Sequence, residues 1–374
     1  MAGEWRRTKL GDVVEINPEA LGSDWPYDHI RYVDISSVGE GFLIELPRHL
    51  SITDAPSRAK RLVRSGDTIL STVRPNRRSM YFVKESSPDL VVSTGFAVLR
   101  PRENLIEPRY LYACVFDKNF TEYLVSREKG AAYPAVLPED IADAVINLPP
   151  LPEQRAIAAV LGALDDKIEL NRRMNRTLEA IAQAVFRHWF VENEEAEGWK
   201  IGDVSYFAQV RSGERPMTTK KIADAEYKYP LFGGGGIMAY TNKFLYDSPI
   251  LLTGRVGTLG WIFRISYPCW ASDNTLVLIP LKPENYYYLY FHLKQIDFEM
   301  LNRGSTQPLL TQSDLQKIEA PLPPDGLLGE FTRVVSPIFA KIDANEQQSR
   351  TLAALRDALL PKLMRGEVRV TVHE

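Results

Sequence analysis

Apolar positions change period three times along this chain, and the changes mark out four segments. From the start to about residue 150 they come in short runs bounded by Gly, Pro, Asn or Asp. Arg31-Tyr32-Val33-Asp34-Ile35, Asp67-Thr68-Ile69-Leu70-Ser71-Thr72-Val73 and Gly95-Phe96-Ala97-Val98-Leu99 are examples. Such runs predict strands joined by turns, followed by one helical stretch from 109 to about 124. Leu148-Pro149-Pro150-Leu151-Pro152 stops this pattern. Pro152-Glu153-Gln154 then supplies a proline and an acid where a helix start tolerates the first and favours the second. Beyond it, apolar residues fall at 157, 161, 164, 168, 178, 182 and 185, with Gly162 the one break. Alternating steps of four and three predict a long helix from 152 to about 192, about 60 Å in length. Its narrow apolar stripe is that of a helix-pairing seam.

The second half repeats the first. At an offset of 174 residues, Gly130 matches Gly304, Pro134 matches Pro308 and Asp140 matches Asp314. Leu148-Pro149-Pro150 likewise matches Leu322-Pro323-Pro324, Lys167-Ile168 matches Lys341-Ile342 and Thr177-Leu178 matches Thr351-Leu352. Upstream, Trp199-Lys200-Ile201-Gly202-Asp203-Val204 restates Thr8-Lys9-Leu10-Gly11-Asp12-Val13. The run from Ser248 to Arg255 restates the strand ending Ser71-Thr72-Val73-Arg74. A second seam runs through Val335, Ile338, Ile342, Leu352 and Leu359 to Arg365, with Gly366 as its C-cap. Pro337 is expected to mark the true start of this helix, with Ser336 as N-cap, rather than a kink.

The expected fold class is α+β: two mixed α/β domains joined by two long antiparallel coiled-coil helices, with a pseudo-twofold internal repeat. The expected segments are a globule over 1–150, a central helix over 151–195, a second globule over 196–324 and a C-terminal helix over 325–374. Asn171 and Asn345 occupy equivalent seam positions. A polar residue there costs stability and fixes register, so the two are expected to face each other.

A net charge of −3 over 374 residues means that any nucleic-acid surface must be local. One such place exists. From Arg58 to Lys84 eight basic residues meet one acid, Asp67, a net +7. Within it, Arg74-Pro75-Asn76-Arg77-Arg78 follows a strand, and Arg and Asn side chains can hold guanine and adenine edges through two hydrogen bonds each. Lys60, Arg61, Arg74, Asn76, Arg77, Arg78 and Tyr81 are the candidates here. The corresponding stretch from 211 to 264 has eight basic residues against four acids, a net +4. Its candidates are Arg211, Lys220, Lys221, Lys243 and Arg255. Lys129 and Tyr133 lie in one matched Gly-Pro loop, Arg303 and Gln307 in the other, and all four join the set.

Gly233-Gly234-Gly235-Gly236 lacks the Lys-Ser/Thr of a phosphate loop and reads as a turn between strands. The five histidines have no metal-ligand spacing, and no nucleophile motif is present. The chain is therefore read as non-catalytic, with neither metal nor cofactor of its own. Neither an N-terminal apolar run nor an 18-residue apolar stretch is found, so neither secretion nor membrane spanning is expected, and two lone cysteines, Cys114 and Cys269, suit a reducing cytoplasm.

Several of these motifs resemble the specificity (S) subunit of Type I restriction–modification enzymes. They are Leu148-Pro149-Pro150-Leu151-Pro152-Glu153-Gln154-Arg155-Ala156-Ile157, the run from Leu164 to Asn171, the run from Ser93 to Pro101, and Leu363-Met364-Arg365-Gly366-Glu367-Val368. The resemblance implies two target-recognition domains, each reading half of a bipartite, asymmetric sequence in double-stranded DNA. It implies that the helices set the unspecified spacer and dock two methyltransferase (M) subunits, with restriction (R) motor-nuclease subunits completing the complex. S-adenosylmethionine, ATP and Mg would then belong to the partners. The second copy has Leu327-Leu328-Gly329 where the first has Glu153-Gln154-Arg155. If that helix start took part in docking, the two methyltransferase sites would differ. The alternative readings are a coiled-coil scaffold that binds no DNA and an enzyme with its own site.

Overall fold

A computed structural model of the chain describes residues 5–130, 134–304 and 307–370. It divides into two compact units, one of Met1–Arg172 with Glu346–Glu374 and one of Arg173–Asn345.

The first unit is built on β1 (Arg6–Lys9), α1 (Leu10–Val13), β2 (Val14–Ile16), β3 (His29–Val33), β4 (Arg48–Ser51), β5 (Ala59–Leu62), β6 (Thr68–Ser71), β7 (Met80–Phe82), β8 (Leu90–Ser93), β9 (Phe96–Pro101), α2 (Pro108–Phe116), α3 (Lys118–Val125), α4 (Pro138–Ala142) and β10 (Val145–Leu148). Its sheets run β2-β9-β6-β7 and β4-β3-β8-β5, with β1 and β10 forming a separate antiparallel ribbon. β6 and β8 are buried along their whole length, as expected of central strands rich in Val, Ile and Leu. The stretch from 109 to 124 is two helices rather than one. Asp117 ends α2 in extended backbone and its carboxylate accepts the amide of Asn119, which starts α3. A side chain that can cap competes with helix continuation, and here it wins.

The second unit holds β11 (Lys200–Asp203), β12 (Ala208–Ser212), β13 (Tyr229–Gly233), β14 (Gly236–Thr241), β15 (Ile250–Gly254), β16 (Phe263–Ile265), β17 (Trp270–Ala271), β18 (Thr275–Pro280) and β19 (Glu319–Leu322). Its sheets are β12-β18-β15-β16, β14-β13-β17 and the ribbon β11-β19. These orders reproduce those of the first unit, without a described strand equivalent to β5. The four glycines form the tight β13–β14 hairpin turn, as read from the sequence, with Gly236 at φ +115.

Hydrogen-bond registers revise the sequence alignment of the copies. Leu10 donates to Ala144 O and Val204 to Ile318 O, so Val204 corresponds to Leu10 and not to Val13. Ser71 pairs with Phe96 and Gly254 with Thr275, so Arg255 corresponds to Thr72 and not to Arg74. The offset of 174 holds from the Lys129 and Arg303 loops onward and changes upstream, where loops of unequal length intervene.

α5 (Leu151–Phe190) contributes its first half to the first unit and the remainder to the second. After α6 (Asn285–Leu293) and α7 (Gln312–Gln316), α8 (Leu327–Met364) does the same in the opposite sequence order. In the first unit Arg356 pairs with Asp165 at 2.9 Å and Asn171 donates to Gln348 at 2.9 Å, so the two helices run antiparallel there. In the second unit they are again antiparallel: Asn345 donates to Asn175 at 2.8 Å, and Phe331 meets Phe186 and Phe190. Asn171 and Asn345 are both buried, and each has a partner within its own unit.

α8 does not begin at Pro337. It starts ten residues earlier, and Pro337 is an exposed interior residue. Interior proline costs about 3 kcal/mol. Burying Phe331 and Val335, both fully enclosed, returns about 1.5–3 kcal/mol each. At the far end Gly366, at φ +71, donates to Leu363 O while Glu367 donates to Lys362 O, the reciprocal pair of a Schellman ending.

Glu153 and Gln154 prove to be internal. Gln154 is 1% exposed, accepts from Glu107 N at 2.9 Å and donates to Pro149 O at 2.8 Å. Glu153 accepts from Trp5 and Arg369. At Glu153 and Gln154 the sequence difference is thus a difference in how the first globule is closed, whereas Arg155 is exposed.

Candidate nucleic-acid interface

In the first unit the ends of several strands converge on one edge. Thr72 N donates to Gly95 O, Arg74 N to Pro134 O at 2.8 Å and Val136 N to Thr72 O at 2.9 Å. Thr94 N donates to Arg58 O. These bonds bring the Arg74–Arg78 turn and the Lys129 loop, separated by more than fifty residues in sequence, side by side. Lys129 is exposed and pairs through its backbone with Ala135. Tyr133 lies outside the described residues. Asn76 and Arg77 stand exposed on a single turn of 3-10 helix, between Arg74 at φ 48 and Arg78 at φ 53. Left-handed backbone in two non-glycine residues costs on the order of 1 kcal/mol each and is commonest at functional turns. The strained turn lifts Asn76 and Arg77 clear of the sheet.

Part of the +7 stretch is neutralised by contacts that sequence proximity does not reveal. Arg64 pairs with Glu19, Lys84 with Asp166 at 2.5 Å, and Asp67 with Arg100 at 2.8 Å. Arg78 turns inward: it pairs with Glu40 at 2.7 Å, donates to Phe116 O at 2.6 Å and to Thr121, and lies over the Phe116 ring. Tyr81 is half-buried against the core of the β3–β8 sheet. Arg61 is half-buried with its Nε enclosed, and burial lowers its pKa. Arg78, Tyr81 and Arg61 are thus each held at least in part by contacts within the unit. Arg58 and Lys60 are exposed at the β5 strand, so Arg58 belongs with the candidates although its lack of a loop motif hid it.

The second unit builds a matching edge with other side chains. Arg255 N donates to Asn274 O, Leu310 N to Arg255 O and Gly257 N to Pro308 O at 3.0 Å. Arg303 N donates to Leu309 O as Lys129 N does to Ala135 O. Arg303 pairs with the buried Asp314 at 2.5 Å while its own side chain stays 67% exposed. Gln307 is exposed beside Gly257. Gln312 Nε2 donates to Ser212 Oγ at 2.8 Å, and Arg255 Nη1 lies 3.5 Å from the same oxygen. Ser212 and Gln312 escape a search for basic residues because the hydroxyl and the amide meet only in the fold. Two exposed carboxylates, Glu214 and Asp273, also lie here, whereas the first edge is basic. Close backbone contacts hold the rim: a Cβ on Gly254 would meet Thr258 O at 1.8 Å, and one on Gly213 would meet Ser272 O at 2.2 Å.

Arg211 is exposed on β12, near this edge. Lys220, Lys221 and Lys243 are not. Lys220 pairs with Tyr240 through its backbone and with Asp224 at 2.6 Å, and Lys243 follows Thr241 at the end of β14. All three lie by the end of the β13–β14 hairpin opposite the Gly234 tip, which packs on Gly254.

Among the described residues no helix is long and apolar enough to cross a membrane. The family model described as "Type I restriction modification DNA specificity domain" matches residues 2–180 and 193–352. The chain is 22% identical to the Type I restriction enzyme HindI specificity subunit of Haemophilus influenzae, with 98% of this chain and 100% of that protein covered. It is 25% identical to the Type I restriction enzyme MjaIX specificity subunit of Methanocaldococcus jannaschii, covering 98% and 94%. The crystal structure of a Type-I restriction-modification system S subunit from M. genitalium shares its fold, with a TM-score of 0.60 over 96% of each chain at 15% identity. With two matches to that model spanning most of its length, the chain belongs to the Type I restriction modification DNA specificity domain family.

Proposed function

We propose that this chain is the non-catalytic sequence-reading subunit of a Type I restriction–modification complex, and that it reads a bipartite, asymmetric DNA target with one half for each unit. One observation carries the proposal. Two loop edges are built on the same backbone hydrogen bonds but bear different side chains, Asn76 and Arg77 on one, Arg255, Gln307 and Gln312 on the other. A constant frame with variable polar loops suits recognition of two unlike short sequences, because base choice lies in side chains and placement lies in the frame.

In this reading α5 and α8 form a pseudo-twofold coiled-coil pair that sets the distance between the half-sites. Asn171 and Asn345 fix its register. The helices also carry exposed apolar residues, among them Val160, Leu170, Ile181 and Val334, which suit docking of two methyltransferase subunits. Those subunits would bring S-adenosylmethionine, and motor-nuclease subunits would bring ATP and Mg. Work on chromosomal DNA would place the assembly in the cytoplasm. The boundaries 1–150, 151–195, 196–324 and 325–374 are kept as the proposed functional segments, two readers and two spacer helices.

Genome-wide mapping of adenine methylation, in cells expressing the chain with its methyltransferase partner and in cells lacking it, tests the proposal. A new split motif with a fixed gap is expected. No new motif, from a partner active with another specificity subunit, would favour a scaffold that binds no DNA.

A further inference from the structure

Resting on that reading, we infer that Arg255 is the guanine-reading residue of the second unit, and that its half-site is read from a different point of the common frame than the first. The registers place Arg255 at the position of Thr72 and Gly257 at the position of Arg74, since Val256 bridges Leu309 as Val73 bridges Ala135. In the first unit Thr72 is closed off: its hydroxyl donates to Gly95 O at 3.0 Å. The cation there is carried two residues further on, at the strained Arg74 turn. In the second unit the strand end itself carries the cation, and the later position is a glycine at φ +83.

Arg255 is held for this task. Its amide donates to Asn274 O and its carbonyl accepts from Leu310 N, so the backbone is fixed on both sides. Its Nη1 rests 3.5 Å from Ser212 Oγ, which also accepts from Gln312 at 2.8 Å. Its Nε is enclosed, so a two-bond contact with a base would use the two terminal nitrogens. A guanidinium fork needs acceptors in its plane, and guanine presents N7 and O6 with that spacing. Backbone fixed before binding lowers the ordering cost of the contact. Gln312, held by the same Ser212, is the neighbour suited to an adjacent adenine.

The test uses the chain assembled with its methyltransferase subunits and maps adenine methylation for wild type, Arg255→Ala, Arg255→Lys and Gln312→Ala. The expected result for Arg255→Ala is loss of preference at a single G·C pair of one half-site, on the order of 10- to 100-fold, with the other half unchanged. That intact half also reports a folded, assembled complex. Arg255→Lys keeps the charge, and should leave the same pair degenerate. Gln312→Ala should relax a pair next to it. If Arg255→Ala lowers methylation evenly at every site and Arg255→Lys restores it, Arg255 contacts phosphate and the inference is wrong. Should Arg255→Ala abolish all methylation, the lysine variant decides: an unchanged motif overturns the inference and a relaxed one supports it. A wild-type complex that yields no split motif would instead overturn the functional reading beneath it.

Discussion

Trp5 and Arg369, near opposite ends of the chain, close on one carboxylate. The indole of Trp5 donates to Glu153 Oε2 at 3.0 Å, Arg369 reaches Glu153 Oε1 at 2.6 Å, and its guanidinium lies 5.2 Å from the Trp5 ring centre. In the second unit the register that makes Leu10 equivalent to Val204 makes Trp5 equivalent to Trp199. There the corresponding junction is covalent, because the chain runs directly from α5 through 191–198 into β11. A polar clamp in one unit thus does the work of a peptide link in the other. Glu153→Ala is expected to destabilise the first unit by about 2 kcal/mol, since a nearly buried carboxylate with two donors is lost. Denaturant unfolding measures the loss, and hydrogen exchange should show it at 367–370 before the second unit responds. Equal exchange in both units would refute a local clamp.

Arg77 and Arg78 are adjacent but should behave oppositely. Arg77→Ala is expected to weaken DNA binding with stability within about 0.5 kcal/mol of wild type, as for exposed positions generally. Arg78→Ala removes an ion pair, two further hydrogen bonds and a ring contact, and should cost about 2 kcal/mol. Thermal melts beside DNA titrations separate the two. An Arg78→Ala protein with unaltered melting would return Arg78 to the DNA surface.

Asn345 and Asn175 should couple. Asn345→Leu alone strips Asn175 of its 2.8 Å donor and is expected to destabilise by about 1 kcal/mol. Replacing both with Leu should recover that loss or exceed it, at the expense of helix register. A double-mutant cycle gives the coupling directly. Strict additivity would show that the contact carries no energy.

Asp314 ties the Arg303 loop to α7. Burial raises its pKa, but hydrogen bonds from the Thr311 hydroxyl and amide, together with Arg303, outweigh burial and hold it below the ordinary 3.8. A carboxylate depressed in the folded state stabilises fully above its unfolded value, and the contribution is lost as pH falls through the folded one. Wild type should therefore lose this contribution below about pH 3.8, and Asp314→Ala should lack it at neutral pH, at a cost of about 1 kcal/mol. Equal stability of the two proteins at pH 7 would contradict the assignment.

If α5 and α8 act as the spacer, lengthening both by one turn, about 5.4 Å, should change the unspecified gap in the methylated motif while leaving both half-sites intact. Methylation mapping reads this. Altered half-site sequences would argue against a ruler.

Periodicity made the two long helices legible, because apolar spacing follows directly from backbone geometry and they repeat it over many turns, while recurrent Gly, Pro and Asp positions marked the repeat and the glycine turn. It failed at Pro337, where burial of Phe331 and Val335 outweighed a local breaker, and at Asp117, where a cap divided what composition joined. The candidate site was half legible. Charge density pointed to the Arg74–Arg78 turn, yet only tertiary contacts decide which charges are available: Arg64, Arg78 and Lys84 find acids at Glu19, Glu40 and Asp166, far off in sequence. The Ser212, Arg255 and Gln312 cluster was illegible, since its members come from β12, the end of β15 and α7. The sequence by itself determined the repeated plan, through short-range periodicity and recurrent turn residues. Only the tertiary structure decided the register between the copies and the side chains left facing outward. Strand pairing and ion pairing join residues distant along the chain, and linear spacing does not encode such partners.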